Sequence, residues 1–143
     1  MLLLMALFAG ALISLQAGLN SQLGVLLKNS LMATVVAFVM SVLVSGIALF
    51  SFTNQWPDWS AIRTVPWYLW LGGVLSATGV GLFYFLIPKM GVGTMMSYAL
   101  TGQLVLAVVA SHFGWFGLPQ MPLNQTKVIG LAAMIGGLVL LNR

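Results

Sequence analysis

Charge is what this sequence lacks most: its 143 residues include five basic side chains and a single acidic one. An average soluble domain carries about 25% charged residues, against 4% here. Six ions, Lys28, Asp58, Arg63, Lys89, Lys127 and Arg143, cannot keep a soluble surface hydrated. Cysteine is absent, which excludes disulfides and thiolate chemistry and leaves the redox compartment unread. With one histidine and one acidic side chain there is no second histidine, no pair of carboxylates and no metal-ligand cluster, and no catalytic constellation is visible. No phosphate-cradling glycine motif is present either. The chain is therefore expected to be neither an enzyme nor a holder of a metal or cofactor. The basic residues are scattered, whereas a nucleic-acid surface needs them clustered, so no nucleic-acid partner is expected.

What is abundant is apolar sequence, 61% of residues, giving a mean hydropathy of +1.09. A bilayer core about 30 Å thick calls for about 20 apolar residues per helix. On that measure the chain is an all-α membrane protein with five transmembrane helices. The spans run at about 2–27, 31–52, 67–87, 92–112 and 127–141, the third stopped by Pro88-Lys89 because proline disfavours helical geometry before it. The fifth span is short, and Lys127 and Arg143 can lengthen it by snorkelling to the two interfaces. The first stretch has no basic residue before Lys28, so it is expected to remain a helix rather than be cleaved as a signal. Trp56, Trp59, Trp67, Tyr68 and Trp70 suit a membrane-interface belt.

Five spans put the chain termini on opposite sides of the bilayer. Arg63 and Lys127 then face one side and Lys28, Lys89 and Arg143 the other. Orientation follows the Lys/Arg excess in short loops, and three against two is almost no excess. Two topologies follow: one weakly specified orientation, or insertion both ways with pairing as an antiparallel dimer.

Small residues recur at every fourth position: Gly10, Ser14 and Gly18 in the first span, Ala33, Ala37, Ser41 and Ser45 in the second, Gly73, Ala77 and Gly81 in the third. That spacing lays them along one helix face and permits close backbone approach. Gln16 and Asn20 lie one turn apart on the first span, and Gln103 sits midway along the fourth with Ser97, Tyr98 and Thr101 near it. An unpartnered amide in hydrocarbon costs about 4–8 kcal/mol, so these groups face protein or a wet cavity. They serve either as interhelical hydrogen bonds or as the lining of a substrate pathway. His112, at the end of the fourth span, is either an interfacial hydrogen-bonder or a proton-handling group. No span contains a carboxylate, which disfavours a cationic substrate and leaves neutral polar or anionic ones.

The segments SLQAGLNSQLG (Ser14–Gly24), WYLWLGGVLSATGV (Trp67–Val80), PKMGVGT (Pro88–Thr94) and GQLVLAVVASHFGWFGLP (Gly102–Pro119) resemble the short YdcZ-like inner-membrane family of the drug/metabolite transporter superfamily. The resemblance implies a multi-pass protein of the bacterial inner membrane with five helices per chain. It also implies dual-topology homodimers, opposed pairs or fused ten-helix proteins. Gln16, Asn20 and Gln103 match the family's polar positions and become candidate lining residues. The family often has an acidic residue before its His-Phe-Gly segment, where this chain has Ser111. The expectation is an antiparallel homodimer forming a ten-helix inverted-repeat transporter in the lipid bilayer, with a small-molecule site near the midplane. Its substrate is a small polar metabolite moved by alternating access. A narrow channel in the same dimer and a non-transporting accessory membrane partner are the alternatives, with cationic-drug export behind both.

Overall fold

A computed structural model describes residues 1–54, 56–117 and 119–143; Gln55 in the second-to-third loop and Leu118 in the fourth-to-fifth loop lie outside them. The described residues contain helices and no strand: α1 (Leu2–Leu26), α2 (Ser30–Phe52), α3 (Trp59–Thr64), α4 (Gly72–Met90, entered through a 3₁₀ stretch at Trp67–Leu71), α5 (Val92–Phe113) and α6 (Gln125–Leu141). Four helical stretches, Leu2–Leu26, Ser30–Phe52, Trp67–Met90 and Val92–Phe113, are long and apolar enough to cross a membrane. α6 has 17 residues, about 25 Å of helix, some 5 Å less than a hydrocarbon core.

Two features differ from the pattern expected of the sequence. The third span does not stop at Pro88: the helix carries it and continues to Met90. Proline deletes only its own N–H bond to the carbonyl four residues back, and the chain turns away at Gly91, whose φ of 87° glycine adopts without cost. The long second-to-third loop also contains α3. Asp58 caps it by accepting from the Trp59 N–H at 2.7 Å and the Ser60 hydroxyl at 2.7 Å. Arg63 lies over the Trp59 ring at 5.5 Å, one turn along.

The chain divides into two compact units, Met1–Lys89 and Met90–Arg143. In the first, α1 and α2 form a hairpin closed by Leu27, Lys28 and Asn29. The Asn29 N–H donates to the Gly24 carbonyl at 2.9 Å and the Lys28 N–H to that of Val25 at 3.1 Å, the paired bonds of a Schellman motif. Its left-handed position, usually glycine, is held by Lys28 at φ 53°, a conformation that costs an L-residue about 1–2 kcal/mol. Asn29 then caps α2, its Oδ1 accepting from the N–H groups of Leu31 and Met32 at 3.0 and 3.2 Å. Small residues let the backbones meet. Ala17, Ser21 and Gly24 of α1 and Ala33 and Thr34 of α2 are buried, and a Cβ on Gly24 would stand 3.3 Å from the Ser30 Cα. α4 adds Gly81, Tyr84 and Ile87 to the same core, with Gly81 facing Thr34 at 3.5 Å from its Cβ position.

The small-residue stripe is only half used. Gly10, Gly73 and Ala77 are exposed, and a Cβ on Gly10 or Gly73 would have no heavy atom within 4 Å. Ser14 and Gly18 lie between, half-buried.

In the second unit α5 packs on α6. Asn142 Nδ2 donates to Ser97 Oγ at 3.0 Å and to the Leu138 carbonyl at 2.9 Å, tying the end of α6 to α5.

Candidate functional site

Apolar helices cannot hide an amide, so the positions of Gln16 and Asn20 decide where polarity sits in the first unit. Their spacing of four residues brings the side chains together on α1, and Asn20 Nδ2 donates to Gln16 Oε1 at 2.9 Å. The third partner is Tyr84 of α4, the largest fully buried side chain among the described residues. Its hydroxyl donates to Gln16 Oε1 at 2.9 Å and accepts from Asn20 Nδ2 at 3.0 Å. The three groups close a triangle. Each interhelical bond of this kind is worth about 0.6–2 kcal/mol, far less than the cost of leaving either amide unpaired.

The triangle does not exhaust its members. An Asn–Gln–Tyr set offers five N–H and O–H donors, of which three are engaged. Gln16 Nε2, with two N–H groups, and Asn20 Oδ1, an acceptor, have no partner among the described residues. Both side chains line an open cavity of about 670 Å³ between α1, α2 and α4, within the range of about 300–1,000 Å³ typical of small-molecule sites. Ser41, Ser45 and Ser76 line it too, with Phe38 and Met40 among the apolar walls. The Ser41 hydroxyl donates to the Ala37 carbonyl at 2.8 Å, and that of Ser45 to the Ser41 carbonyl at 2.6 Å. Their donors are thus spent on their own helix and only oxygen lone pairs remain. No lining residue carries a charge. Chemically the cavity offers a donor pair, an acceptor and hydroxyl oxygens against apolar walls, which suits an uncharged polar molecule and gives a cation nothing to pair with.

Sequence reasoning singled out Gln16 and Asn20 as lining candidates, but not Tyr84, which bonds both, nor the serines beside them. Tyr84 lies six residues from the Met90 end of its helix, where tyrosine ordinarily reads as part of an interfacial belt. The usable signal was its spacing of three from Gly81, which places it on the packed face. Ser41 and Ser45 read as packing residues by their four-residue spacing, and nothing in a sequence separates a packing serine from a lining one.

The other candidates belong to the second unit. The Ser97 hydroxyl donates to the Thr94 carbonyl at 2.8 Å while accepting from Asn142, and that of Thr101 donates to the Ser97 carbonyl at 2.9 Å. Tyr98 is 53% exposed, and Gln103 is exposed and makes no side-chain hydrogen bond among the described residues. His112 Nδ1 accepts from the Leu123 N–H at 3.1 Å, which fixes its proton on Nε2 in the neutral form. Its carbonyl accepts from Gln120 Nε2 at 2.9 Å. Histidine here fastens the fourth-to-fifth loop to the end of α5. No group of three or more potential metal ligands exists among the described residues.

No curated protein and no solved structure matches the chain. A family model does, over residues 1–140, and its description is "Putative inner membrane exporter, YdcZ". Exporters of this kind are membrane transporters and not a class of enzyme. A match over nearly the whole chain, together with four helices of crossing length, makes this a multi-pass inner-membrane protein: the chain belongs to the YdcZ family of inner-membrane exporters.

Proposed function

We propose that the chain carries a small polar metabolite, neutral or anionic, across the inner membrane as an antiparallel homodimer. Each protomer contributes five crossing helices, α6 being the fifth, and the assembly works by alternating access. The observation that carries the substrate class is the cavity at the Gln16–Asn20–Tyr84 triangle: unspent amide groups, hydroxyl oxygens and no ion. A hydroxyl, an amide or a carboxylate on the substrate can meet the Gln16 N–H groups, whereas a cation would shed its hydration with no counter-ion to receive it. Gln103 and its neighbours on α5 are further lining candidates in this scheme.

Two features support the dimer. The loop charges divide three against two, so neither orientation is favoured. The Gly10 and Gly73 positions leave room for another backbone to approach. In an antiparallel pair a single conformational exchange swaps the roles of the two protomers, which makes inward- and outward-open states equal in energy.

Reconstitution into liposomes followed by flux measurements over neutral, anionic and cationic metabolites tests the proposal. Saturable flux of neutral or anionic solutes is expected, with a loss of tenfold or more in Gln16→Ala and Asn20→Ala. Flux restricted to cations would overturn the substrate class. Unsaturable flux far above transporter turnover would replace the carrier with a channel. Silence across the panel from folded dimer would replace it with an accessory role.

A further inference from the structure

The first unit holds a second and larger cavity, about 1070 Å³, that the substrate proposal does not use. Its walls are apolar, with Leu31 and Val35 from α2 and Leu82 and Phe85 from α4, and Lys28 and Lys89 line its end at the α1–α2 turn. Topology puts these two lysines on the same side of the bilayer, one at the end of α1 and the other at the end of α4. Neither is paired with an anion among the described residues. The sequence has one acidic side chain, and Asp58 is engaged with Ser60 and Trp59. Lys89 Nζ instead sits 3.5 Å from the centre of the Phe85 ring, which holds the ammonium over the cavity wall. Lys28 occupies the left-handed position of the turn, where glycine would be the unstrained choice. A charge is kept there at a conformational cost.

We propose that this cavity binds an anionic phospholipid, its phosphate met by Lys28 and Lys89 and its acyl chains lying along α2 and α4. Three observations converge on that occupant. The volume lies at the upper end of the usual small-molecule range and leaves room for acyl chains; the walls are mostly apolar; and both cations sit at or beside helix ends, where headgroups meet a spanning helix. The N-terminus of α2 opens at the same end and adds positive potential. A zwitterionic lipid would fill the walls equally well but would bring its own cation to the lysines, so the site discriminates by headgroup charge.

Electron paramagnetic resonance of spin-labelled phosphatidylglycerol and phosphatidylcholine, with the full chain in vesicles, tests this directly. The wild-type protein should immobilise phosphatidylglycerol in preference to phosphatidylcholine. Lys28→Gly and Lys89→Gln should each weaken that preference about fivefold, the effect of one basic residue near an anionic surface, and together they should abolish it. Lys28→Gly places glycine where the backbone favours it, so the fold survives; a melting temperature at or above that of the wild type verifies this. Thr78→Phe keeps both charges but fills the cavity, and should lower phosphatidylglycerol retention by a similar factor. Equal immobilisation of the two lipids by the wild type overturns the proposal, as does a preference undiminished in the double variant. A Thr78→Phe protein that retains phosphatidylglycerol fully would show the lysines acting as surface charge alone. Displacement of the lipid by inorganic phosphate would show a site for the phosphate group without its chains. Either result also defeats it.

Discussion

The two ends of the first unit are made from the same kind of sequence and are packed differently. At the α1–α2 turn, Ala17, Ser21, Gly24, Ala33, Thr34, Gly81 and Tyr84 are buried. At the opposite end, Leu2 to Gly10 of α1, Val42 to Ser45 of α2 and Gly72 to Ser76 of α4 are exposed. Yet Gly10 and Gly73 belong to the same four-residue stripes as Gly18 and Gly81. A hairpin explains the difference. Three residues between α1 and α2 force close approach near the turn, and small side chains permit it there. At the far end α2 and α4 are joined by 19 residues, from Thr53 to Leu71, and no such constraint operates. A stripe that is small along its whole length but used along half of it is what a second protomer would engage.

The largest effect that separates the two ends is expected from Gly24→Leu. The Cβ position already meets the Ser30 backbone at 3.3 Å, and backbone cannot swing aside as a side chain can. Overpacking should cost about 3 kcal/mol, read as a loss of folded protein in detergent unfolding. An unchanged unfolding midpoint would mean that the hairpin is not closed as described. Tyr84→Phe comes next. It removes two hydrogen bonds from the triangle, and a loss of about 2 kcal/mol is expected. A double-mutant cycle with Gln16→Leu should show coupling of about 0.6–2 kcal/mol, and additive effects would dissolve the triangle as a unit. Gly10→Leu sharpens the comparison from the other side. With no heavy atom within 4 Å it should leave the unfolding midpoint of the protomer almost unchanged. Dissociation of the proposed antiparallel dimer should rise about tenfold, equivalent to about 1.4 kcal/mol, in single-molecule photobleaching across a dilution series. A loss of protomer stability without loss of dimer would reverse the assignment of that face.

Much of this architecture was legible because bilayer thickness imposes itself on sequence. Runs of about 20 apolar residues leave few alternatives to a spanning helix, and Leu2–Leu26 and Ser30–Phe52 lie within a residue of the bounds read from their sequence. Pro88 was misread because proline weakens a helix locally without having to end it; Gly91 ends it instead. α3 was invisible because its six residues carry no periodic pattern, and Asp58 was legible only as a charge. The site was half legible. Gln16 and Asn20 declare themselves by the cost of an amide in hydrocarbon, whereas Tyr84 is a residue type that membranes tolerate at many depths. Which glycines pack within the protomer depends on loop length and closure, which a four-residue spacing does not encode.

The smallest effect concerns the caps at the two ends of the unit. The turn end is capped by Asn29, which cannot ionise, and the loop at the opposite end by Asp58, which can. Hydrogen bonds from the Ser60 hydroxyl and the Trp59 N–H hold the Asp58 carboxyl below its ordinary value of 3.8, because both favour the charged acceptor. A lowered folded pKa means that the ionised form stabilises α3. That contribution is fully present above 3.8 and is lost as the pH falls through the lower folded value. Hydrogen-exchange protection of the Trp59 and Ile62 amides should therefore decline in acid, while that of Leu31 and Met32 at the Asn29 cap should not. Asp58→Asn keeps a capping oxygen and removes the titration, so its α3 protection should be independent of pH across the same interval. Acid sensitivity that persists in Asp58→Asn would assign it to another group and leave the two caps equivalent.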